Sequence, residues 1–244
     1  MKKGFTLAES TTHVNMPPFK TKSGFTLAEV LITLGIIGIV SAMTLPTLNA
    51  NIRKKQTVAK LQKAISIINQ AYKLSESENG EGSSEELFNM GAEAYFEKYW
   101  QPYIKTLVFC HDYKECGYKS NKPFYLFNGN SQGSELIKNK SRIAFITMEG
   151  FVFNIRVSEW NFDTHNFGNQ ASTIIIDING SKLPNTVGKD VFFFSRTSGE
   201  GILPWCSKSS QAAINSDCSI TGSGNCCVEK IKRAGWKIDS TYPW

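Results

Sequence analysis

At 244 residues, with 41% hydrophobic and 20% charged side chains, the chain has the composition of a globular protein, which excludes wholesale disorder. It is long enough for a membrane segment and one substantial domain, or at most two small domains. The net charge of +6 does not point to nucleic acid: four lysines against one glutamate put +3 of it in the first 24 residues, and Arg53-Lys54-Lys55 lacks interleaved aromatics and reads as a solvated helix face.

The chain opens with an internal repeat. Gly4-Phe5-Thr6-Leu7-Ala8-Glu9 recurs as Gly24-Phe25-Thr26-Leu27-Ala28-Glu29. The first copy is followed by Ser10-Thr11-Thr12-His13 and then Pro17-Pro18, from which no helix can enter a membrane. The second copy runs directly into the apolar stretch Val30 to Leu45. Phe25 to Leu45, about 31 Å as a helix, just spans a hydrocarbon layer. Lys20 and Lys22 hold the N-terminal side in the cytoplasm and predict an exported C-terminal bulk. A Sec-type signal would place its apolar core before the cut, whereas here the apolar run follows Gly24. An uncleaved anchor is the simpler reading, but it leaves Glu29 unexplained, because a carboxylate beside a span is costly without a partner. Cleavage between Gly24 and Phe25 would create that partner, a free amine at Phe25. Gly35, Gly38, Ser41 and Ala42 suit close helix contacts in a bundle, or simply reflect the usual glycine content of membrane helices.

Past Pro46 the pattern becomes amphipathic. Val58, Leu61, Ile65, Ile68 and Tyr72 recur at three- and four-residue steps, with Lys54, Lys55, Lys60, Lys63 and Lys73 on the wetter face. Proline removes one backbone donor and crowds the preceding turn, so Pro46 should kink the helix without ending it. The expectation is one helix from Phe25 to about Leu74, before Glu78-Asn79-Gly80-Glu81-Gly82-Ser83-Ser84, with its second stripe covered by the C-terminal domain.

Gly24-Phe25-Thr26-Leu27-Ala28-Glu29, the apolar run and Pro46 closely resemble the N-terminal segment of bacterial type IV pilins and type II secretion pseudopilins. The likeness is specific from Gly24 to about Ser77. It implies a basic leader, residues 1–24, removed by a prepilin peptidase that also methylates the new amine of Phe25. Residues 25–45 would then form the transmembrane and filament-core helix, 46–78 its amphipathic continuation and 84–244 an exported α+β head. The resemblance further implies that Glu29 meets the amine of a neighbouring copy, so that subunits stack into a helical filament. An assembly ATPase and an inner-membrane platform protein are implied as partners. The implied location is a single-pass inner-membrane protein with a cytoplasmic N-terminus, extracytoplasmic once assembled. Secretion pseudopilus and surface pilus are not distinguished.

In the head, Ser84-Glu85-Glu86 reads as a helix start, with Leu87, Met90, Ala94 and Tyr95 carrying the helix to about Trp100. Strand signals follow at Phe124 to Phe127, Arg142 to Met148, Phe151 to Val157, Thr173 to Ile178 and Val191 to Ser195, with Glu149-Gly150 as a two-residue hairpin turn. Phe151, Phe153, Ile155 and Val157 share one face, and Asn154 and Arg156 the other. An antiparallel sheet of about four strands packed on a long helix makes the fold α+β. Val228 to Ala234 reads as a short helix. Cys110, Cys116, Cys206, Cys218, Cys226 and Cys227 suit a disulfide framework in an oxidising compartment. Cys110 and Cys116 make a plausible short loop, Cys226 and Cys227 do not suit each other, and the rest of the pairing is open. Zinc is the alternative, with His13, His111 and His165 the only histidines.

Asp177 to Asp190 joins two apolar strands with oxygen-bearing residues and glycines. Asp177, Asn179 and Asp190 with backbone carbonyls could surround calcium, and several major pseudopilins carry calcium in a late loop. The EF-hand pattern is not met, and Asx turns explain the same residues without metal. No nucleophile elbow, phosphate loop or dinucleotide fingerprint is present, so the chain reads as a non-enzyme. Two rivals remain: a displayed binding module, if Trp160, Trp205 and Trp244 line one groove, and an anchored enzyme, if His111 or His165 sits in a cleft beside carboxylates.

Overall fold

The computed structural model describes residues 24–80, 86, 89–157, 172–197 and 200–244. Residues 1–23 with the first hexapeptide and His13, the helix start at Ser84-Glu85, Leu87, Trp160 and His165 lie outside these residues. The chain divides into two compact units, Met1–Leu48 and Asn49–Trp244. Helix α1, Leu27–Asn79, contains Pro46 without ending there and continues about one turn beyond Leu74.

In the first unit the helix is apolar and exposed on every side: Leu31, Ile36, Ile39 and Met43 are all more than half accessible. It is long and apolar enough to cross a membrane. In the second unit the same helix has one buried stripe, formed by Val58, Leu61, Ala64, Ile68, Ala71, Tyr72 and Ser75. Ile65 is only half-buried, because the stripe drifts towards the smaller Ala64 and Ala71.

The stripe lies on an antiparallel sheet of six strands in sequential order: β1 (Thr106–Cys110), β2 (Arg142–Thr147), β3 (Val152–Val157), β4 (Ser172–Asp177), β5 (Val191–Thr197) and β6 (Gly201–Pro204). Phe145, Phe153, Ile155, Ile174, Ile176, Phe192 and Phe194 of the sheet share one cluster with Leu61, Ile68 and Tyr72 of α1. Helix α2, Ala92–Tyr99, adds Tyr95 and Phe96 to it. A long N-terminal helix on an antiparallel sheet is the α+β, pilin-like architecture that the resemblance implies.

Several expectations need correction. Phe124 to Phe127 is no strand: Tyr125 makes only isolated bridges to Ser131 and Thr186. The strands at both edges, β1 and β6, went unread because they are short and sit among turn residues. The helix expected up to Trp100 is interrupted at Gly91, whose φ of 86° is a left-handed conformation open to glycine. The β2–β3 connection is one residue longer than Glu149-Gly150 alone. Gly150 at φ 80° follows Met148 and Glu149, and the Thr147 N–H closes the turn on the Phe151 carbonyl at 2.9 Å.

The second face of the sheet is covered as well. Ala144, Val152, Ile175, Val191 and Phe193 pack there against Cys110, Cys116, Tyr118, Phe124 and Leu136. Asn154 is therefore fully buried, and it replaces water with protein partners. Its Nδ2 donates to the Ile143 carbonyl (2.9 Å) and to that of Leu136, and its Oδ1 accepts from the Arg142 guanidinium at 2.7 Å. Burial beside Arg156 lowers the Arg142 pKa to about 10.

Disulfides join Cys110 to Cys116, Cys206 to Cys226 and Cys218 to Cys227. The last two tie helix α3 (Gln211–Asp217) and helix α4 (Cys227–Arg233) to the end of β6. Ser210 caps α3 by accepting the Ala213 N–H at 3.2 Å.

Ile68 is fully buried against the sheet, whereas Ile65 sits at the edge of the stripe. Ile68→Ala should destabilise the head by about 2–5 kcal/mol and Ile65→Ala by under about half of that. Denaturant unfolding followed by circular dichroism measures both, and equal losses would contradict the observed phase of the helix.

Candidate functional site

At the start of α1 the repeat motif forms a helix cap. The Glu29 carboxylate accepts from the Thr26 backbone N–H and from the Thr26 hydroxyl, both at 2.8 Å, while the Glu29 N–H donates to Thr26 Oγ1 at 3.2 Å. This reciprocal arrangement is a capping box: it satisfies donors that the first turn leaves unpaired and places a negative charge where the helix dipole favours it. Thr26 was missed as a site residue, although threonine three positions before glutamate signals it. Gly24 and Phe25 precede the helix and are exposed.

The 177–190 loop gathers the oxygen-bearing residues read from the sequence. Asp177, at the end of β4, accepts from the Tyr118 hydroxyl at 2.8 Å and from the Asn179 N–H at 3.1 Å. Asp190 accepts from the N–H groups of Asn185 (2.9 Å) and Thr186 (2.6 Å) and from Asn179 Nδ2 (3.0 Å). Gly117 lets the Tyr118 segment approach this loop: a Cβ there would lie 2.6 Å from Ser181 Oγ. Burial, and then the nearby Asp190 charge, hold the Asp177 carboxyl well above the usual range. Burial raises Asp190 too, against the hydrogen bonds from Thr186, Asn185, Asn179 and its own backbone that lower it.

The donor set suits a hard cation in type, with two carboxylates and two amides. The Oδ1 atoms of Asn179 and Asn185 are buried without a hydrogen-bond partner, which leaves two oxygens free for a ligand. The carboxylate oxygens, by contrast, already have donors, as in an Asx-turn network. Tyr118 and Asn185 were not identified from the sequence, since only folding brings the 118 segment to this loop. Among the described residues no group of three or more His, Cys, Asp or Glu side chains is arranged for a metal.

His111 lies with Glu93, Glu97, Lys140 and Arg142 on a cavity of about 460 Å³ between α2 and β1. Its ring is exposed and pairs with Glu115 at 3.3 Å. Among the described residues lining that cavity, the one cysteine, Cys110, is half of a disulfide, and none carries a hydroxyl. The two described tryptophans named as groove candidates do not form one groove. Trp205 packs edge-on against Phe193, and Trp244 lies by Tyr242.

Compared with known proteins, residues 19–45 match the family model described as the prokaryotic N-terminal methylation motif. A prepilin methylation motif is thus present, and it spans the second hexapeptide and the apolar run. No curated protein and no solved structure matches the chain.

The loop cluster has a definite pH signature. An acid whose folded pKa lies above its unfolded value of 3.8 stabilises the fold while protonated and loses that stabilisation as pH rises through the folded value. With chelator present, the thermal midpoint should fall as pH rises above the ordinary carboxylate range. If the loop takes calcium, added calcium reverses that fall, most strongly at the alkaline end where the carboxylates are ionised, and Asp190→Asn abolishes the response. An unchanged midpoint on adding calcium at the alkaline end leaves the Asx-turn network as the whole explanation.

Proposed function

We propose that the chain is a structural, non-catalytic subunit of a type II secretion pseudopilus or type IV pilus. The observation that carries this reading is the methylation motif on a helix that is apolar on every side, ahead of a folded head. A prepilin peptidase cuts between Gly24 and Phe25 and methylates the new amine. Residues 1–24 leave as a basic leader. Residues 25–45 hold the subunit in the inner membrane, 46–78 continue the helix, and 84–244 form the exported head.

On assembly the apolar helices exchange lipid for one another and become a dry filament core. Leu31, Ile36 and Ile39, more than half exposed in a single chain, acquire partners only there. The Glu29 carboxylate, capped by its own Thr26 in one chain, meets the Phe25 amine of a neighbouring copy. In a dry core a charge left alone is strongly unfavourable, so the pair sets the register between subunits. Head-to-tail contacts that do not close on themselves generate a filament. Pro46, inside α1, is the place for a bend in the packed helix. An assembly ATPase and an inner-membrane platform protein would drive the stacking.

Calcium held by Asp177, Asn179, Asn185 and Asp190 would neutralise the two buried carboxylates and fix the loop between β4 and β5. Its contribution is stability of the head.

Glu29→Ala should stay inserted in membranes yet give far fewer sheared filaments than the parent, as read by immunoblot of the two fractions. A normal filament yield would refute the pairing role. N-terminal sequencing of the mature chain should begin at methylated Phe25, and Gly24→Ile should leave the leader attached. A mature terminus at Phe5 would overturn the assignment of the cut.

A further inference from the structure

The Asn49–Trp244 unit carries a cavity of about 500 Å³ that borders the loop described above at Asn179 and Asp190 and extends from it to the basic face of α1. Arg53, Gln56, Thr57 and Lys60 of α1 form one wall. Leu183, Pro184 and Lys189 of the β4–β5 loop form the other, with Trp244 at the rim. Three cations thus converge on one cavity, and among the described residues none has a carboxylate within ion-pair distance. Asp190 also lines it, but its oxygens are engaged by the Asn185 and Thr186 N–H groups and the Asn179 amide. Lys189 lies over the Phe127 ring at 5.3 Å, which limits its positions. The apolar members stand out into solvent, with Leu183 80% and Trp244 38% exposed.

The place of this cavity in the chain restricts its occupant. Arg53 follows Leu48, the last residue of the apolar unit, by five residues, and five residues reach at most about 18 Å in any conformation. Arg53 therefore stays near the surface of whatever membrane the preceding segment enters. Lysine and arginine are normally depleted on the exported side of a span, so that bias does not account for Arg53-Lys54-Lys55 there. Exposed tryptophan and leucine beside cations are the side chains that suit the boundary between headgroups and acyl chains.

We propose that this cavity seats the phosphate of an anionic phospholipid head, with Arg53, Lys60 and Lys189 as its cationic contacts, Gln56 and Thr57 as hydrogen-bond donors, and Leu183 and Trp244 against the upper acyl chain. The proposal rests on the reading of residues 25–45 as a membrane span. It assigns the head a lipid-held position before assembly, which a subunit must leave when it enters a filament.

The test uses the full chain purified in neutral detergent, with native mass spectrometry in equimolar phosphatidylglycerol and phosphatidylcholine. Phosphatidylglycerol should be retained preferentially. Lys60→Gln should weaken retention about fivefold, and the Arg53→Gln/Lys60→Gln/Lys189→Gln variant by well over about tenfold. Replacing the exposed Lys105, Lys119 and Lys122 by glutamine should leave retention unchanged. Thermal midpoints check folding, and the single Lys60→Gln variant carries the test if the triple variant unfolds. Equal retention of the two lipids overturns the proposal, as does equal loss in the control variant. Displacement of phosphatidylglycerol by inorganic phosphate overturns the lipid assignment in favour of a free anion. Flotation of the parent chain with membranes is scored separately: failure to float defeats the span reading, whereas flotation without lipid preference defeats this proposal alone.

Discussion

A helix that is apolar on every side over one stretch and along a single stripe over the next requires two different surroundings. From Leu31 to Leu45 the apolar side chains project in all directions and are exposed. From Val58 to Ser75 only one face is buried, and it lies on the sheet. The first condition is met by lipid or by copies of the same helix, and the second by the head alone. The rest of the chain follows from this division: the six-stranded sheet exists as a surface wide enough to cover the stripe, and the anchor stays attached because the proposed cut lies before it.

The sheet must in turn be covered on its own far face. The 112–137 segment does this, held at one end by the Cys110–Cys116 disulfide and through its length by buried polar contacts. Asn154 donates into the Leu136 carbonyl, and Tyr118 donates to Asp177. An irregular segment cannot satisfy its backbone within itself as a strand pair does, so side chains from the sheet supply partners. The same logic explains why titratable groups are buried at the Asp177 end, where the layer over the sheet meets the 177–190 loop.

Glu29 illustrates how one carboxylate can serve two states. In a single chain it closes the first turn through Thr26 and so carries its charge at the helix mouth with two donors. In the proposed filament the same oxygens face an amine. Under that proposal the cap would give the charge local donors in the single subunit without removing the charge the filament pair requires. Beyond that terminus, the basic wall from Arg53 to Lys60 lies on the wet side of the stripe, where it is free to meet anionic groups.

Periodicity and motif spacing by themselves determined the membrane-length run, the change of regime after Pro46 and the central strands. Each of these is local: its signal lies within a few turns of helix or a few residues of strand. Only the tertiary structure decided the edge strands β1 and β6, the burial of Asn154, the pairing of Cys206 with Cys226 and Cys218 with Cys227, and the meeting of Tyr118 with Asp177. Those depend on which distant segments come to rest on each face of the sheet. The two-residue period places Asn154 on the face opposite Phe153 and says nothing about what covers that face.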